Sequence, residues 1–364
     1  MAPLEQRLRD RLATLSFPLD RAVALAELGC YLARIGDIES AEKIVSDLRS
    51  TVGMTDSRVA ISVLLLEGLI RLFAGTGQKP LERVQRAMAL SLSLGDQEIL
   101  SRVSSWHAHL CFLAGQFEMM SDSISRVLSA GELAPRDSVS RCHTTLGCAY
   151  TILGDDRRAN LSFDQSRQIS IDFGDRATIS AIIFNRVTHR AARFRYSSRR
   201  SLEQVMDDPF IDLEFISGVN LDAGTRNTAW ADLSLAWRAR ILLLQGNSVA
   251  AESLLNGLGA LPADFSNRED LQLIVDRARA KLASGNVAAA AALLQAISDV
   301  EVGKMDPDDR AIMLCIKQHS ESALSKHQYF DDALQERIKD AEAAHEALLE
   351  GLAASLQRVE AFVR

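Results

Sequence analysis

The stretch Leu146–Ser166, LGCAYTILGDDRRANLSFDQS, decides how this chain folds. Gly147 and Ala159 put small residues where two neighbouring helices would touch, with Leu146, Tyr150 and Phe163 around them. A glycine inside a helix costs roughly 1 kcal/mol relative to alanine, so Gly147 implies a close approach by a second helix as compensation. Gly154-Asp155 then breaks the pattern, dividing the stretch into two helices joined by a tight turn.

That turn recurs. Gly36, Gly75, Gly115 and Gly154 follow one another at 39, 40 and 39 residues, and Gly246 and Gly285 are again 39 apart. Unrelated loops have no reason to return at a fixed distance, so the period predicts an array of helical hairpins. The first unit, LGCYLARIGDIESAEKIVSDL, repeats the pattern with Leu28, Gly29, Gly36, Asp37 and Ala41. In the second, Gly68 fills the small position but Pro80 stands where alanine is expected, which is tolerable only in the first turn of a helix. In the third, Ala108 is small and Met120 replaces the alanine.

The order L-G-x-x-Y, G-D, A, F resembles the tetratricopeptide repeat. The resemblance implies an all-α, right-handed α-α superhelix of about eight hairpins over residues 1–328, with a long capping or coiled-coil helix over 329–364. The units of 39–40 residues exceed the usual 34 of that family. They are similar to the longer units of sensor arrays that stand ahead of output domains, for example diguanylate cyclases, in large bacterial signalling proteins.

Gly154 and Gly246 are 92 residues apart, room for one more hairpin and an insertion. Ile179–Arg195 reads as a first helix, Tyr196-Ser197-Ser198 as its turn and Arg200–Met206 as the start of a second. Asp207–Thr225 carries Pro209, Gly218 and Gly224 without helical period and is expected to be irregular. Asn227 reads as the N-cap of a helix over Thr228–Gln245. Ala278, Gly285, Ala290 and Leu294 fit another unit, and a last pair of helices meets at His327-Gln328.

From Asp331 to Arg364 there is no proline, so one helix of about 34 residues, roughly 50 Å, is expected. Ile338, Ala341, His345, Leu348, Leu352, Ser355, Val359 and Phe362 form an apolar stripe with heptad spacing. Its first half is expected to cap the array. Beyond Leu349 the stripe is expected to outrun its neighbour, leaving a face on which a homodimer would form.

The composition agrees with helix: 47% hydrophobic, 5% aromatic and seven prolines in 364 residues. A net charge of −7, from 41 basic and 48 acidic residues, opposes general nucleic-acid binding. The apolar run Val59–Phe73 is broken by Glu67 and Arg71, so no membrane span is expected. Five cysteines without paired spacing and an N-terminus lacking an apolar leader point to the cytoplasm.

Catalytic and metal signatures fail on geometry. Cys142 and Cys148 are six apart on a helix and point about 120° away from each other, so they cannot share a metal. His107 and His109, two apart, face opposite sides. His345-Glu346 meets Leu349 where an H-E-x-x-H site needs its second histidine. Gly75–Pro80 falls short of a phosphate loop, and Asp306–Asp309 lacks the glycine and final glutamate of a calcium loop. No cofactor, metal site or enzyme activity is therefore expected.

Binding is the better expectation. In tetratricopeptide arrays the first helices of the hairpins line the concave face. Asn185, His189 and Arg193 share one helical face there, with Arg186 and Arg190 alongside. Guanidinium groups take carboxylates and phosphates through paired contacts, which suits an acidic peptide, a C-terminal carboxylate or a small anion. A solvated arginine face paired with neighbouring acids explains the same residues. Arg226, Asn227, Trp230 and Arg238, near Asp232 and Trp237, form a second candidate group, with core packing as the alternative for both tryptophans. Three functions remain open at this point. One is a non-enzymatic protein- or ligand-binding scaffold or sensor, and another is the regulatory front of a larger signalling enzyme. The third is a phosphatase-like or inhibiting array that acts on a response regulator through Asn185.

Overall fold

The structure, a computed structural model, describes residues 3–51, 55–75, 79–229, 231–258, 267–325 and 331–362, without the side chains of Asp232, Asn267 and Arg268. Among these residues the fold is all-α, with no strand. The helices are α1 (Leu4–Thr14), α2 (Pro18–Arg34), α3 (Ile38–Thr51), α4 (Ser57–Phe73), α5 (Pro80–Leu94), α6 (Gln97–Leu113), α7 (Phe117–Ser129), α8 (Arg136–Leu153) and α9 (Asp156–Phe173). They continue as α10 (Arg176–Ser197), α11 (Ile211–Thr225), α12 (Ala231–Leu244), α13 (Ser248–Gly257), α14 (Asn267–Ala283), α15 (Val287–Gln295), α16 (Asp299–Lys304), α17 (Pro307–Ser325) and α18 (Asp332–Val359).

The glycine that marks each turn does the same work every time. Gly36, Gly75, Gly115, Gly154, Gly246 and Gly285 all have φ between 68° and 83°, the left-handed region that a side chain resists. At the opening stretch, Gly154 N–H donates to Thr151 O at 3.1 Å and Asp155 N–H to Tyr150 O at 3.0 Å, satisfying carbonyls left over at the end of α8. The Asp155 carboxylate then accepts from Arg158 N at 3.0 Å and caps α9. Asp37, Asn247 and Asn286 cap the following helix in the same way. The dipeptide Gly-Asp or Gly-Asn is thus a complete stop-and-start signal, and this is why its spacing is so regular.

The small residues mark close approaches. A Cβ built on Gly147 would lie 2.6 Å from the ring of Phe163 on α9. On Gly29 it would lie 2.7 Å from Leu66 Cδ2 on α4, and on Gly68 2.6 Å from Val84 Cγ2 on α5. Phe163 is 1% exposed, and burial of such a side chain contributes about 2–3 kcal/mol, which offsets the helical cost of the glycine it covers. Pro80 occupies the first turn of α5, as its missing N–H requires.

The chain divides into two compact units, one of Met1–Arg186, Gly218–Trp230 and Gly351–Arg364, the other of Val187–Ser217 and Ala231–Glu350. In the first, α2 packs on α3 and α4, α4 on α5 and α6, α6 on α7 and α8, and α8 on α9. In the second, α12 packs on α13 and α14, and α14 on α15 and α17. Within each unit these hairpins meet the next in sequence, the contact pattern of a helical repeat.

Three sequence expectations are corrected. Between α10 and α11 the chain is non-helical over 198–210, and the second helix of the fifth pair is α11 rather than Arg200–Met206. Pro209 excludes Asp208 from a helix, the Asp208 carboxylate accepts from Phe210 N at 3.3 Å, and α11 starts at Ile211. The period was invisible there because Ile211 and Phe215 are buried while Leu213 is 59% exposed. Gly218 lies inside α11 with room for a Cβ only 3.1 Å from Ile183, another close approach rather than a break. Thr228 is outside the next helix, its N–H donating to Ile35 O at 2.9 Å. The C-terminal stripe is covered as far as Val359: Leu334, Ile338 and Ala341 join a core with α14, α15 and α17, and Leu352, Leu356 and Val359 are at most 2% exposed, whereas Phe362 is 45% exposed. Leu352, Leu356 and Val359, expected to face a second copy, are thus covered within the chain. The expected turns at Gly75–Pro80 and His327-Gln328 involve residues 76–78 and 326–330, which lie outside the described residues.

Candidate anion-binding site

The residues singled out in sequence are distributed over both units. Asn185 and Arg186 belong to the first unit, and His189, Arg190 and Arg193 to the second. All five are half-buried on α10. Arg190 is committed to Glu214 and, at 3.4 Å, to Asp208; Arg238 is committed to Asp212 at 3.2 Å. Both arginines thus fasten α11 and the segment before it. Asn185, Arg186, His189 and Arg193 each have interactions of their own. Arg226 is exposed at φ 57° and Asn227 donates to Asp222 Oδ1 at 2.7 Å while accepting from Ala229 N. Asn227 therefore shapes the loop before α12 rather than capping a helix at Thr228. Trp230 lies outside the described residues. Arg190 and Arg238 are thus both ion-paired within the second unit.

The first unit builds a different site, which the sequence reading passed over. Its floor is an ion-pair network: Arg102 of α6 reaches Glu27 of α2 at 2.9 Å, Asp137 of α8 at 3.0 Å and Glu98 at 3.2 Å, and Arg11 adds to Glu27 at 2.8 Å. Its ceiling is Arg34 at the end of α2, paired to Asp175 at 2.9 Å and hydrogen-bonded to Thr178. Asp175, in the turn between α9 and α10, also caps α10 through Thr178 N at 3.1 Å. Around this ceiling Leu4 N donates to Gly174 O at 3.2 Å and Arg7 donates to Phe173 O at 3.0 Å. The amino-terminal helices are thereby tied to the α9–α10 junction.

Between floor and ceiling lies Arg141 of α8. Its guanidinium stacks on the indole of Trp106 from α6, 3.4 Å from the ring centroid, and Phe73 and His109 meet the same indole edge-on at 6.0 and 6.1 Å. Thr145 stands one turn further along α8, bonded to the Arg141 carbonyl at 3.1 Å and to His109 Nδ1 at 3.4 Å. Among the described residues, no carboxylate pairs with Arg141, and its Nε is buried without an acceptor. The acids nearby are taken: Asp137 by Arg102, Glu27 by Arg11 and Arg102, Asp175 by Arg34.

The electrostatics follow from that arrangement. Burial, and after it the like charge of Arg34, pulls Arg141 down to about 9, with Asp137 and Asp175 opposing only in part. Burial alone would raise the Asp175 carboxyl, but Arg34 and the Thr178 hydrogen bonds hold it below its usual range. Burial pushes the Cys30 thiol up to about 12, so it is an unreactive neighbour. As a residue Arg141 is half-buried, while its Nε is enclosed.

The second unit shows the contrast. Arg195 pairs with Asp276 at 3.0 Å and Asp309 at 2.8 Å, and Arg240 pairs with Asp276 at 2.7 Å. Arg279 beside them has an Nη2 without acceptor but is 4% exposed, which closes it to a ligand. Asp306, Asp308 and Asp309 bring carboxylate oxygens within 4.8 Å of one another, and Asp309 is already bonded to Arg195 and to Gln272 at 2.5 Å. Cys142 and Cys148 are buried thiols, and burial raises both. His107 is buried and bonded to Ser123 at 2.8 Å.

The sequence held a faint signal for Arg141. Arg102 and Arg141 are 39 residues apart, one repeat period, and so occupy equivalent positions of consecutive units. Asp137 precedes Arg141 by four residues and reads as its partner on a helix face. Only the packing of α6 on α8 shows that Arg102 takes that carboxylate.

Comparison with known protein-family models and with curated proteins gives no match for this chain. The class that fold and site define is an all-α protein with packing compatible with a helical repeat, and with an arginine in one unit that has no direct ion pair among the described residues.

Proposed function

We propose that this chain is a non-enzymatic binding module of sensor type. In this reading its hairpins form a tetratricopeptide-like array, and it holds an anionic ligand against Arg141. The observation that carries the reading is Arg141, half-buried as a residue, stacked on Trp106 and without a direct ion pair while every acid around it is engaged by another arginine. A charge in low-dielectric surroundings is costly unless paired, so such a residue is kept where a ligand supplies the partner. Occupancy is relayed to the end of α18, which is fastened to this unit by Arg358–Glu118 at 2.9 Å and by Arg158–Glu360.

Native mass spectrometry of the protein purified from producing cells tests the reading. The wild type should retain a small anionic adduct that Arg141→Met lacks. Identical spectra for the two proteins would remove Arg141 as a ligand site.

A further inference from the structure

The site at Arg141 also restricts the kind of anion, and this inference rests on the binding function proposed above. We propose that the ligand is a small monocarboxylate taken whole between the two ion-pair layers, neither a phosphate nor the end of an extended peptide. The first restriction is size. Glu27, Arg102 and Asp137 are joined across α2, α6 and α8 on one side of Arg141, and Arg34, Asp175 and Thr178 are joined on the other. Arg34 is seven residues beyond Glu27 on the same helix, so the two layers are separated by only about 10 Å at 1.5 Å per residue. A peptide running along these helices would have to break one layer or both. A molecule the size of a single ring or a short chain need break neither.

The second restriction is charge. Arg141 has no ion pair of its own, Arg34 is matched by Asp175, and Arg11 with Arg102 faces three carboxylates, Glu27, Asp137 and Glu98, so negative charge is already in excess on that side. A phosphate dianion would bring its second charge against the Asp137 and Asp175 carboxylates with no cation left to balance it. A carboxylate carries one charge and matches the planar fork of an arginine. The third restriction is the wall. Trp106 is 6% exposed, with Phe73 against its edge, and the Thr145 hydroxyl lies beside His109. The face of Trp106 is taken by Arg141, so the body of the ligand meets the half-buried rings of Phe73 and His109 while its carboxylate meets Arg141.

The test uses the fluorescence of Trp106 in the full chain carrying Trp230→Phe and Trp237→Phe, which leaves a single tryptophan. Probes at constant ionic strength are sodium benzoate, benzamide, inorganic phosphate at pH 8, and a decapeptide with a free carboxyl terminus. Benzoate should quench saturably in the millimolar range, with Arg141→Met weakening it at least tenfold and Arg141→Lys less, while benzamide and phosphate give no saturable change. If phosphate or the decapeptide binds more tightly than benzoate and still depends on Arg141, the carboxylate inference falls and the anion site stands. If no probe gives a change that depends on Arg141, both fall. Circular dichroism of each variant confirms that it is folded.

Discussion

Replacing Arg141 by methionine should make the protein more stable while removing its ligand. The sign is opposite to that for an arginine in an ion pair. Lowering an arginine from 12.5 to about 9 corresponds to roughly 5 kcal/mol of unfavourable native-state energy at about 1.4 kcal/mol per tenfold. As a residue Arg141 is only half-buried, so solvent screening leaves about 2–3 kcal/mol of this. Methionine keeps apolar contact with Trp106 but gives up the stacked cation, a loss of about 1 kcal/mol. The variant should therefore gain about 1–2 kcal/mol. At about 2–4 °C per kcal/mol for a cooperative unit of this size, the melting temperature should rise by roughly 2–8 °C in calorimetry of ligand-free protein. A carboxylate probe should raise the melting temperature of the wild type and leave the variant unmoved. A ligand-free variant that melts well below the wild type would refute the reasoning, since Arg141 would then be a structural cation.

Other perturbations test the frame of the site. Asp175→Asn should destabilise by roughly 3 kcal/mol in urea titration, because it leaves Arg34 buried without its partner. The Asp175 carboxyl is held below its usual 3.8, so its contribution is complete above about pH 4 and disappears as pH falls through the lowered folded-state value; the variant should lack that acid-side loss. His143 is 8% exposed and burial pulls it down to about 4, whereas the unfolded chain takes up the proton near 6.5. Stability should therefore decline as pH falls from about 6.5 towards 4, by up to about 3 kcal/mol, and His143→Gln should flatten that slope in melts at graded pH. Gly147→Ala should cost about 1–2 kcal/mol despite the better helix propensity of alanine, since its Cβ meets a ring at 2.6 Å; a more stable variant would show that α8 and α9 are not in close contact. Leu356→Ser, at 2% exposure, should cost about 2–4 kcal/mol at any protein concentration, as expected of a residue covered within its own chain.

The sequence by itself determined the helical hairpins. The Gly-Asp and Gly-Asn pairs end one helix and cap the next through hydrogen bonds local in the chain, so their spacing is readable before any fold is known. Gly29, Gly68 and Gly147 were legible for a related reason, since a glycine retained inside a helix signals a neighbour too close for a Cβ. Where local signals were absent the reading failed. The second helix of the fifth pair begins after Pro209 and buries Ile211 and Phe215 without forming a stripe, and the C-terminal helix gives no sign in print that Leu352 and Leu356 are covered.

Only the tertiary structure decided which charges are spent. Arg190 and Arg238 stand in a basic stretch that looks ready for an anion, yet Glu214, Asp208 and Asp212 reach them from another segment. Arg141 looks paired with Asp137 four residues earlier, yet Arg102, one repeat unit away, takes that carboxylate. An ion pair is a matter of a few ångströms between side chains whose separation in sequence is arbitrary, so competition for each acid is settled by packing.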